Sequence, residues 1–224
     1  MTITLGSTGL IFNDGTIQTD TLTDYGAVIS ITSFTGSGTY TVPAGCVTMF
    51  VRVQGGGGGA AGYSESGGAG GYSETLIQVA SAGLTPGAST IAVTVGGGGG
   101  GVGYYAAAGQ GGTSSFGGYC AATGGYGANQ NYTHTGGHSG VGSGGIVNLY
   151  QGAGCGHANH HQHSGSARGG ASYFGGCYGT RHSGGEQIGP GAPGAGAPGG
   201  VTDSGQNGSG HVGSSGLVVV YAYK

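Results

Sequence analysis

GGGGGG at residues 96–101 begins a stretch, running to Gly216, in which glycine dominates the sequence. Glycine supplies 62 of the 224 residues, a composition that usually predicts a disordered linker. Three features favour order instead. Charged residues are only 5% of the chain, and apolar residues interrupt the glycines, as in GGIVNLYQG at 144–152. The stretch also ends in LVVVYAY at 217–223, a strand that needs partner strands earlier in the chain.

An ordered glycine-rich region has one well-suited geometry, the polyproline-II helix, which has three residues per turn and no internal hydrogen bonds. Faces made of glycine let such helices approach closely and bond to one another through backbone groups. Collagen is excluded, because GPGAPGAGAPGG at 189–200 lacks a strict Gly-X-Y period. We therefore expect a bundle of polyglycine-II helices between residues 96 and 216.

Strand patterns lie on both sides of this region, and nothing reads as a helix. In VTMFVRVQ (47–54), Val47, Met49, Val51 and Val53 share one face. The predicted strands are GTYTV (38–42), VTMFVRVQ (47–54), YSETLIQVA (72–80), STIAVTVG (89–96), GGTSSFGG (111–118) and the terminal LVVVYAYK (217–224). They predict an all-β fold, a small sandwich or open barrel, with the glycine-rich helical bundle inserted into it.

The predicted division of the chain has three parts. Residues 1–32 form an N-terminal attachment or oligomerisation segment, residues 33–95 with 217–224 form the β-sandwich framework, and residues 96–216 form the glycine-rich region. In the first part, GLIFNDGTIQTD (9–20) predicts a β-hairpin with a tight turn at Asp14-Gly15. Its few apolar residues need a partner surface, and we expect a homotrimer.

Composition excludes several classes of function. Only four residues are basic (Arg52, Arg168, Arg181 and Lys224), so no clustered surface is available to neutralise nucleic-acid phosphates. No apolar run approaches the length that spans a bilayer, and the N-terminus lacks the pattern of a signal peptide. The four cysteines are therefore expected as free thiols, with Cys46 buried beside a strand.

Catalytic patterns are missing as well. G-x-G-x-x-G recurs by chance in so glycine-rich a chain, and a P-loop is excluded because the one lysine is the terminal Lys224. Acid–base catalysis needs paired carboxylates, but only Glu186 and Asp203 lie in the glycine-rich region. We expect no enzyme and no resident cofactor. A glycan hydrolase would need acids clustered in that region.

A histidine cluster, GHANHHQHSG at 156–165, holds His157, His160, His161 and His163. It has two interpretations. In one, it is an exposed polar loop whose imidazoles face solvent or a ligand. In the other, His161 and His163 place both rings on one side of an extended chain and bind a transition metal, with copies related by an axis completing the ligands.

Aromatic and polar residues between the glycines form the candidate binding surface. Tyrosine offers a large amphipathic contact at low entropy cost, while Asn, Ser and Gly add adaptable hydrogen bonds. Some of these rings could instead pack over glycine faces. The candidate receptor-binding residues are Tyr104, Tyr105, Asn131, Tyr132, His134, Tyr150, His157, His160, His161, His163, Tyr173, Phe174, Tyr178, Arg181 and His182.

The order of motifs resembles a known family. The run from FTGSGTYTVPAG (34–45) through VQGGGGG (53–59), LTPGASTIAVTVGGGGG (84–100) and GQGGTSSFGG (109–118) to SGLVVVYAY (215–223) is similar to the bacterial and phage glycine-rich domain. GLIFNDGTIQTD resembles the short G-x-x-F-x-D-G-T-x-Q segment of phage tail-fibre and collar proteins. The glycine field resembles the tip adhesin of T-even-like phages.

That resemblance implies a function and a location. It implies a virion tail-fibre adhesin, made in the host cytoplasm, whose loops at the ends of polyglycine-II helices recognise a host cell-surface glycan or outer-membrane protein. Its other partners would be further tail-fibre or tail proteins. The alternative is a purely structural or ice-binding glycine-rich protein, which predicts a regular tripeptide period with a repeated small residue on one face. The sequence lacks that period.

Overall fold

The computed structural model describes most of the chain from residue 26 onward and three short strands before it. The described residues are 4–6, 9–11, 17–18, 26–62, 65–103, 106–129, 135–155, 168–176, 191–200 and 210–224. Thirteen strands lie within them: β1 Thr4–Gly6, β2 Gly9–Ile11, β3 Ile17–Gln18, β4 Val28–Phe34, β5 Gly38–Thr41, β6 Thr48–Gln54, β7 Tyr72–Gln78, β8 Thr90–Thr94, β9 Ser114–Phe116, β10 Cys120–Ala122, β11 Gly142–Ser143, β12 Val147–Leu149 and β13 Leu217–Tyr223.

The N-terminal strands form a small antiparallel sheet in the order β1-β2-β3. Ile11 pairs with Ile17 across β2 and β3, which confirms the predicted hairpin. The predicted turn at Asp14-Gly15 lies outside the described residues. β1, which pairs with β2, was not expected from the sequence.

The other ten strands form two antiparallel sheets of five strands each. Their orders are β11-β10-β9-β8-β5 and β12-β7-β6-β13-β4, and we call them the first and the second sheet. Alternating residues of β6 and β13, such as Val51 and Val220, meet Tyr40, Ile91 and Phe116 of the first sheet in one buried core. The two sheets therefore close over a single hydrophobic layer.

The fold class expected from the sequence is confirmed: the protein is all-β, and the described residues contain no helix. Every predicted strand of the framework is present, each within a few residues of its expected bounds. Met49, Val51 and Val53 share one face as predicted, and that face is buried, whereas Val47 precedes the strand and is exposed. Strands β4, β10, β11 and β12 were not predicted. Of these, β10 and β11 belong to the first sheet, and β4 and β12 belong to the second.

Ten glycine-rich extended segments, here called the glycine segments, lie beyond the strand ends on one side of the two sheets. They comprise residues 55–61, 65–71, 96–102, 108–112, 123–128, 136–141, 150–155, 168–172, 192–200 and 210–216. Eight of them directly continue or lead into strands; segments 168–172 and 192–200 instead are joined to each other through residues 173–191. The sheets thus set the positions of these eight segments.

Backbone hydrogen bonds between the glycine segments repeat at intervals of three residues. In segment 55–61, Gly55 and Gly58 both donate to segment 65–71, at 2.9 and 2.8 Å. Gly56 and Gly59 likewise both donate to segment 108–112, and Gly57 and Ala60 both donate to segment 210–216. Carbonyl oxygens of the same segment accept, again at intervals of three, from segments 96–102, 123–128 and 192–200. One buried segment is therefore bonded to six neighbours.

Segments approach one another closely enough to require glycine at their contacts. A Cβ built on Gly57 would overlap with the carbonyl oxygen of Ala195, and one built on Gly58 with that of Tyr126. Gln54 fixes the junction with the second sheet, because its buried amide donates to the carbonyl oxygens of Gly70 and Gly71 at 2.9 and 3.0 Å. That these segments are polyglycine-II helices stays a prediction, which the three-residue period of their hydrogen bonds supports.

Candidate functional site

Several glycine segments end together at the side remote from the sheets, which we call the far end. Ala61 donates to the carbonyl oxygen of Glu65 at 3.0 Å, and Val102 donates to that of Ala60 at 3.1 Å. The ends of other segments are bonded at the same level: Ala128 to Gly59, Ser66 to Cys155, Gly200 to Ala61 and Gly210 to Val102. The far end is thus a single layer of hydrogen-bonded backbone.

The chain leaves and re-enters the far end five times. The pairs of flanking residues are Ala61 with Glu65, Gly103 with Ala106, Asn129 with Thr135, Cys155 with Arg168, and Gly200 with Gly210. Ser66 links two of these flanks, since its hydroxyl donates to the carbonyl oxygen of Arg168 at 2.8 Å and accepts from the amide of Cys155 at 2.7 Å. The hydroxyl of one buried serine therefore holds both ends of the longest of these connections.

Nine of the predicted binding residues fall between these flanks in the sequence, and all nine lie outside the described residues. They are Tyr104, Tyr105, Asn131, Tyr132, His134, His157, His160, His161 and His163. The predicted metal pair, His161 and His163, is among them and stays a prediction. Within the described residues, no group of three His, Cys, Asp or Glu side chains could hold a metal ion.

Of the remaining predicted residues, the three that the structure describes lie at the opposite end of the segments. Tyr178, Arg181 and His182 lie outside the described residues, between Gly176 and Ala192, whose backbones are bonded at 3.4 Å. Tyr150 immediately follows β12 and is 73% exposed. Tyr173 and Phe174 form a turn beside the first residue of β7. The structure thus separates Tyr150, Tyr173 and Phe174 from the far end.

Tyr173 and Phe174 belong to an aromatic cluster on the outer face of the second sheet, the flank cluster, made up of Phe50, Arg52, Tyr72, Glu74, Tyr173, Phe174 and Tyr221. Tyr173 stacks on Tyr72, with ring centroids 4.0 Å apart and an interplanar angle of 14°. Phe174 meets the ring of Tyr173 edge-on, with centroids 5.4 Å apart. The arrangement is an ordered stack on the sheet rather than a free loop.

Arg52 lies at the centre of the flank cluster. Its guanidinium carbon is 5.1 Å from the ring centroid of Phe50, 5.6 Å from that of Tyr221 and 5.8 Å from that of Tyr173. These distances are typical of cation–π contacts. Arg52 Nε is 3.6 Å from Glu74 Oε2, an ion pair slightly too long for a hydrogen bond. Register explains the pairing, because Arg52 lies opposite Glu74 on β6 and β7.

Glu74 Oε2 also accepts a hydrogen bond of 2.5 Å from the hydroxyl of Tyr72. Burial raises the pKa of Tyr72 far above its ordinary value of 10, and the hydrogen bond to Glu74 raises it further. Tyr72 therefore remains protonated at neutral pH, as a donor to Glu74 must. Sequence reasoning missed Tyr72 and Glu74, although the alternation of β6 had already placed Arg52 on the outer face.

Two further groups have shifted pKa values because they are buried. The pKa of Cys120, in the shared core, is raised to about 12. The pKa of His211, in a glycine segment near the far end, is lowered below 6.5. Cys46, Cys120 and Cys155 are free thiols, and Cys46 is buried as the sequence predicted. None of the described residues forms a helix long and apolar enough to cross a bilayer.

Two antiparallel sheets that extend into mutually bonded glycine segments define a glycine-rich all-β protein. Residues 32–223 match the model of a family described as the Glycine-rich domain, and the chain belongs to that family. The match starts in β4 and ends with β13, so it includes both large sheets and all the glycine segments. A comparison with curated proteins found no match.

Proposed function

We propose that this chain is a receptor-binding protein of a virion tail fibre, a tip adhesin that recognises a glycan or an outer-membrane protein on a host cell. The observation that carries this proposal is that the flanks of five chain connections lie together at the far end. Binding residues are commonly found on loops that a rigid scaffold holds in place. Such a scaffold and a set of connections sharing one end are the two parts that an adhesin of this kind needs.

The bonding of the glycine segments supports the stiffness that the proposal requires. The described residues of segments 55–61 and 65–71 are all buried, and their amides bond to neighbouring segments. We propose that these segments are polyglycine-II helices. A scaffold ordered before binding reduces the entropy that recognition would otherwise cost.

The composition of the connections supports recognition rather than chemistry. They contain the Tyr, His and Asn residues at 104–105, 131–134 and 157–163. Tyrosine and asparagine suit adaptable contact with a polar surface. The proposed function has no covalent step and no resident cofactor, and a transition metal at His161 and His163 is a separate hypothesis.

Assembly is the second part of the proposal. The N-terminal segment, with its small sheet at residues 4–18, would join the chain to other tail proteins or to two further copies in a homotrimer. Sedimentation of the purified chain tests this point directly. A trimer supports the assembly, whereas a monomer at all concentrations contradicts it.

Cell binding tests the recognition. The fluorescently labelled chain is incubated with a panel of bacterial strains, and bound label is counted by flow cytometry. We expect binding to some strains only, and its loss when His157, His160, His161 and His163 are all replaced by alanine. Ser81→Ala and Thr90→Ala, on the sandwich side of the molecule, should bind as the wild type does.

Thermal unfolding accompanies each variant and shows whether its scaffold is intact. Binding that survives the fourfold histidine replacement, and also the replacement of Tyr104 with Tyr105 and of Asn131 with Tyr132, contradicts recognition at the far end. The absence of binding to every strain contradicts the adhesin itself.

A further inference from the structure

We propose that the flank cluster is a second binding site, and that it takes a neutral hexopyranose residue stacked on the ring of Tyr173. This site is independent of the far end, because it lies on the outer face of the second sheet at the opposite end of the glycine segments. It requires neither the adhesin function nor the connections at the far end.

Tyr173 is partly open to solvent. Its other face is stacked on Tyr72, which is fully buried, yet 45% of Tyr173 is exposed. Phe174 supports the stack, with its ring edge-on to Tyr173 and 6.3 Å from the centroid of Tyr72. A ring held by two neighbours needs no reordering when a ligand arrives, so the loss of entropy on binding is small.

Hydrogen-bonding groups lie beside the ring of Tyr173. The guanidinium of Arg52 is 5.8 Å from the centroid of Tyr173, and Glu74 lies 3.6 Å from Arg52. Both side chains retain access to solvent, at 29% and 19%. Arg52 Nε is itself buried, so donation to a ligand must come from the other guanidinium nitrogens of this partly exposed side chain. The carboxylate of Glu74 can accept more than the one bond from Tyr72.

This combination matches the chemistry of a pyranose ring. A pyranose has a face of C–H groups that packs on an aromatic ring, and a rim of hydroxyls that both donate and accept. Tyr173 supplies the flat apolar surface, Arg52 supplies donors to the rim and Glu74 supplies an acceptor. Because Arg52 and Glu74 neutralise each other, the site has no net charge with which to select an acidic sugar.

Nuclear magnetic resonance of the intact chain tests this site with methyl pyranosides of glucose, galactose, mannose and N-acetylglucosamine. We expect saturation transfer from the protein to at least one of them, strongest at the protons of one ring face. Tyr173→Ala should weaken that binding about tenfold, the loss of one aromatic contact. Tyr173→Phe should retain it.

Two controls decide the interpretation. Tyr126→Ala removes an exposed tyrosine outside the flank cluster and should leave sugar binding unchanged. Tyr173→Leu, which keeps an apolar side chain over Tyr72, should weaken binding as Tyr173→Ala does and shows that any loss is not due to unfolding. Binding of none of the four sugars, or equal binding by wild type and Tyr173→Leu, overturns the proposal.

Discussion

Tyr173 lies flat on the buried ring of Tyr72, with centroids 4.0 Å apart, while the hydroxyl of Tyr72 donates to Glu74. Tyr72→Phe keeps the stack but removes this donor from a carboxylate that is only 19% exposed. We expect the free energy of unfolding, measured in urea, to fall by about 1–2 kcal/mol. Tyr150→Phe, at an exposed position, should change it by less than about 0.5 kcal/mol. Equal stabilities for the two variants would contradict a structural role for this hydrogen bond.

The approach of the glycine segments predicts an asymmetry between two glycines. Gly57→Ala places a methyl group against the carbonyl oxygen of Ala195, and we expect it to lower the free energy of unfolding by about 2–3 kcal/mol. Gly97→Ala is the matched control, because a Cβ there meets no atom within 4 Å. It should be neutral or stabilising by about 0.5 kcal/mol. Similar losses in both variants would show that the segments are not packed as closely as the structure indicates.

The kind of packing in the glycine segments was predictable, but the choice of partners was not. A composition with few side chains leaves backbone hydrogen bonds as the main means of ordering, so extended segments bonded side by side were expected. Which segment bonds to which is not encoded in the glycines, because one glycine is like another. The strands that continue into the segments, such as β6 into Gly55, determine that order.

A strand could be predicted only where its side chains form a distinctive pattern. The alternation around Val51 and the apolar run at Val218–Val220 identify β6 and β13. Strand β10 contains only Cys120, Ala121 and Ala122 between glycine-rich stretches, so no pattern distinguishes it. The flank cluster was hidden because Arg52 and Tyr173 are remote in sequence and meet only when segment 168–172 returns to the sheet.

Stability should depend on pH through His211. Its Nε2 is buried with no hydrogen-bond partner among the described residues, and burial lowers its pKa in the folded state below 6.5. The unfolded chain therefore binds this proton more readily. The free energy of unfolding should fall as pH drops from about 7 towards 5 and be fully retained above about pH 7.

His211→Gln isolates this contribution, because it keeps a polar side chain without a titrating group. Unfolding in urea at a series of pH values gives the difference between wild type and variant. As the solution is acidified, the free energy of unfolding of the wild type should fall relative to that of His211→Gln. A difference that is constant with pH would show that His211 binds a proton equally well in both states.

The three free thiols among the described residues, Cys46, Cys120 and Cys155, should react at very different rates. Cys155 is exposed, whereas Cys46 and Cys120 are buried and burial raises the pKa of both, that of Cys120 to about 12. Because the thiolate is the reactive form, iodoacetamide at mildly alkaline pH should label Cys155 first. Peptide mapping by mass spectrometry should find Cys46 and Cys120 unmodified until denaturant is added. Early labelling of Cys120 would show that the core opens readily.

The interval of three residues between equivalent hydrogen bonds restricts how this body can change in size. Inserting a single residue into one glycine segment rotates every later amide away from its acceptor and towards a different neighbour. Lengthening all ten segments together by a multiple of three restores each bond and simply raises the far end above the sheets. Growth in multiples of three residues is therefore the route by which such a scaffold can gain reach while its internal bonding stays intact.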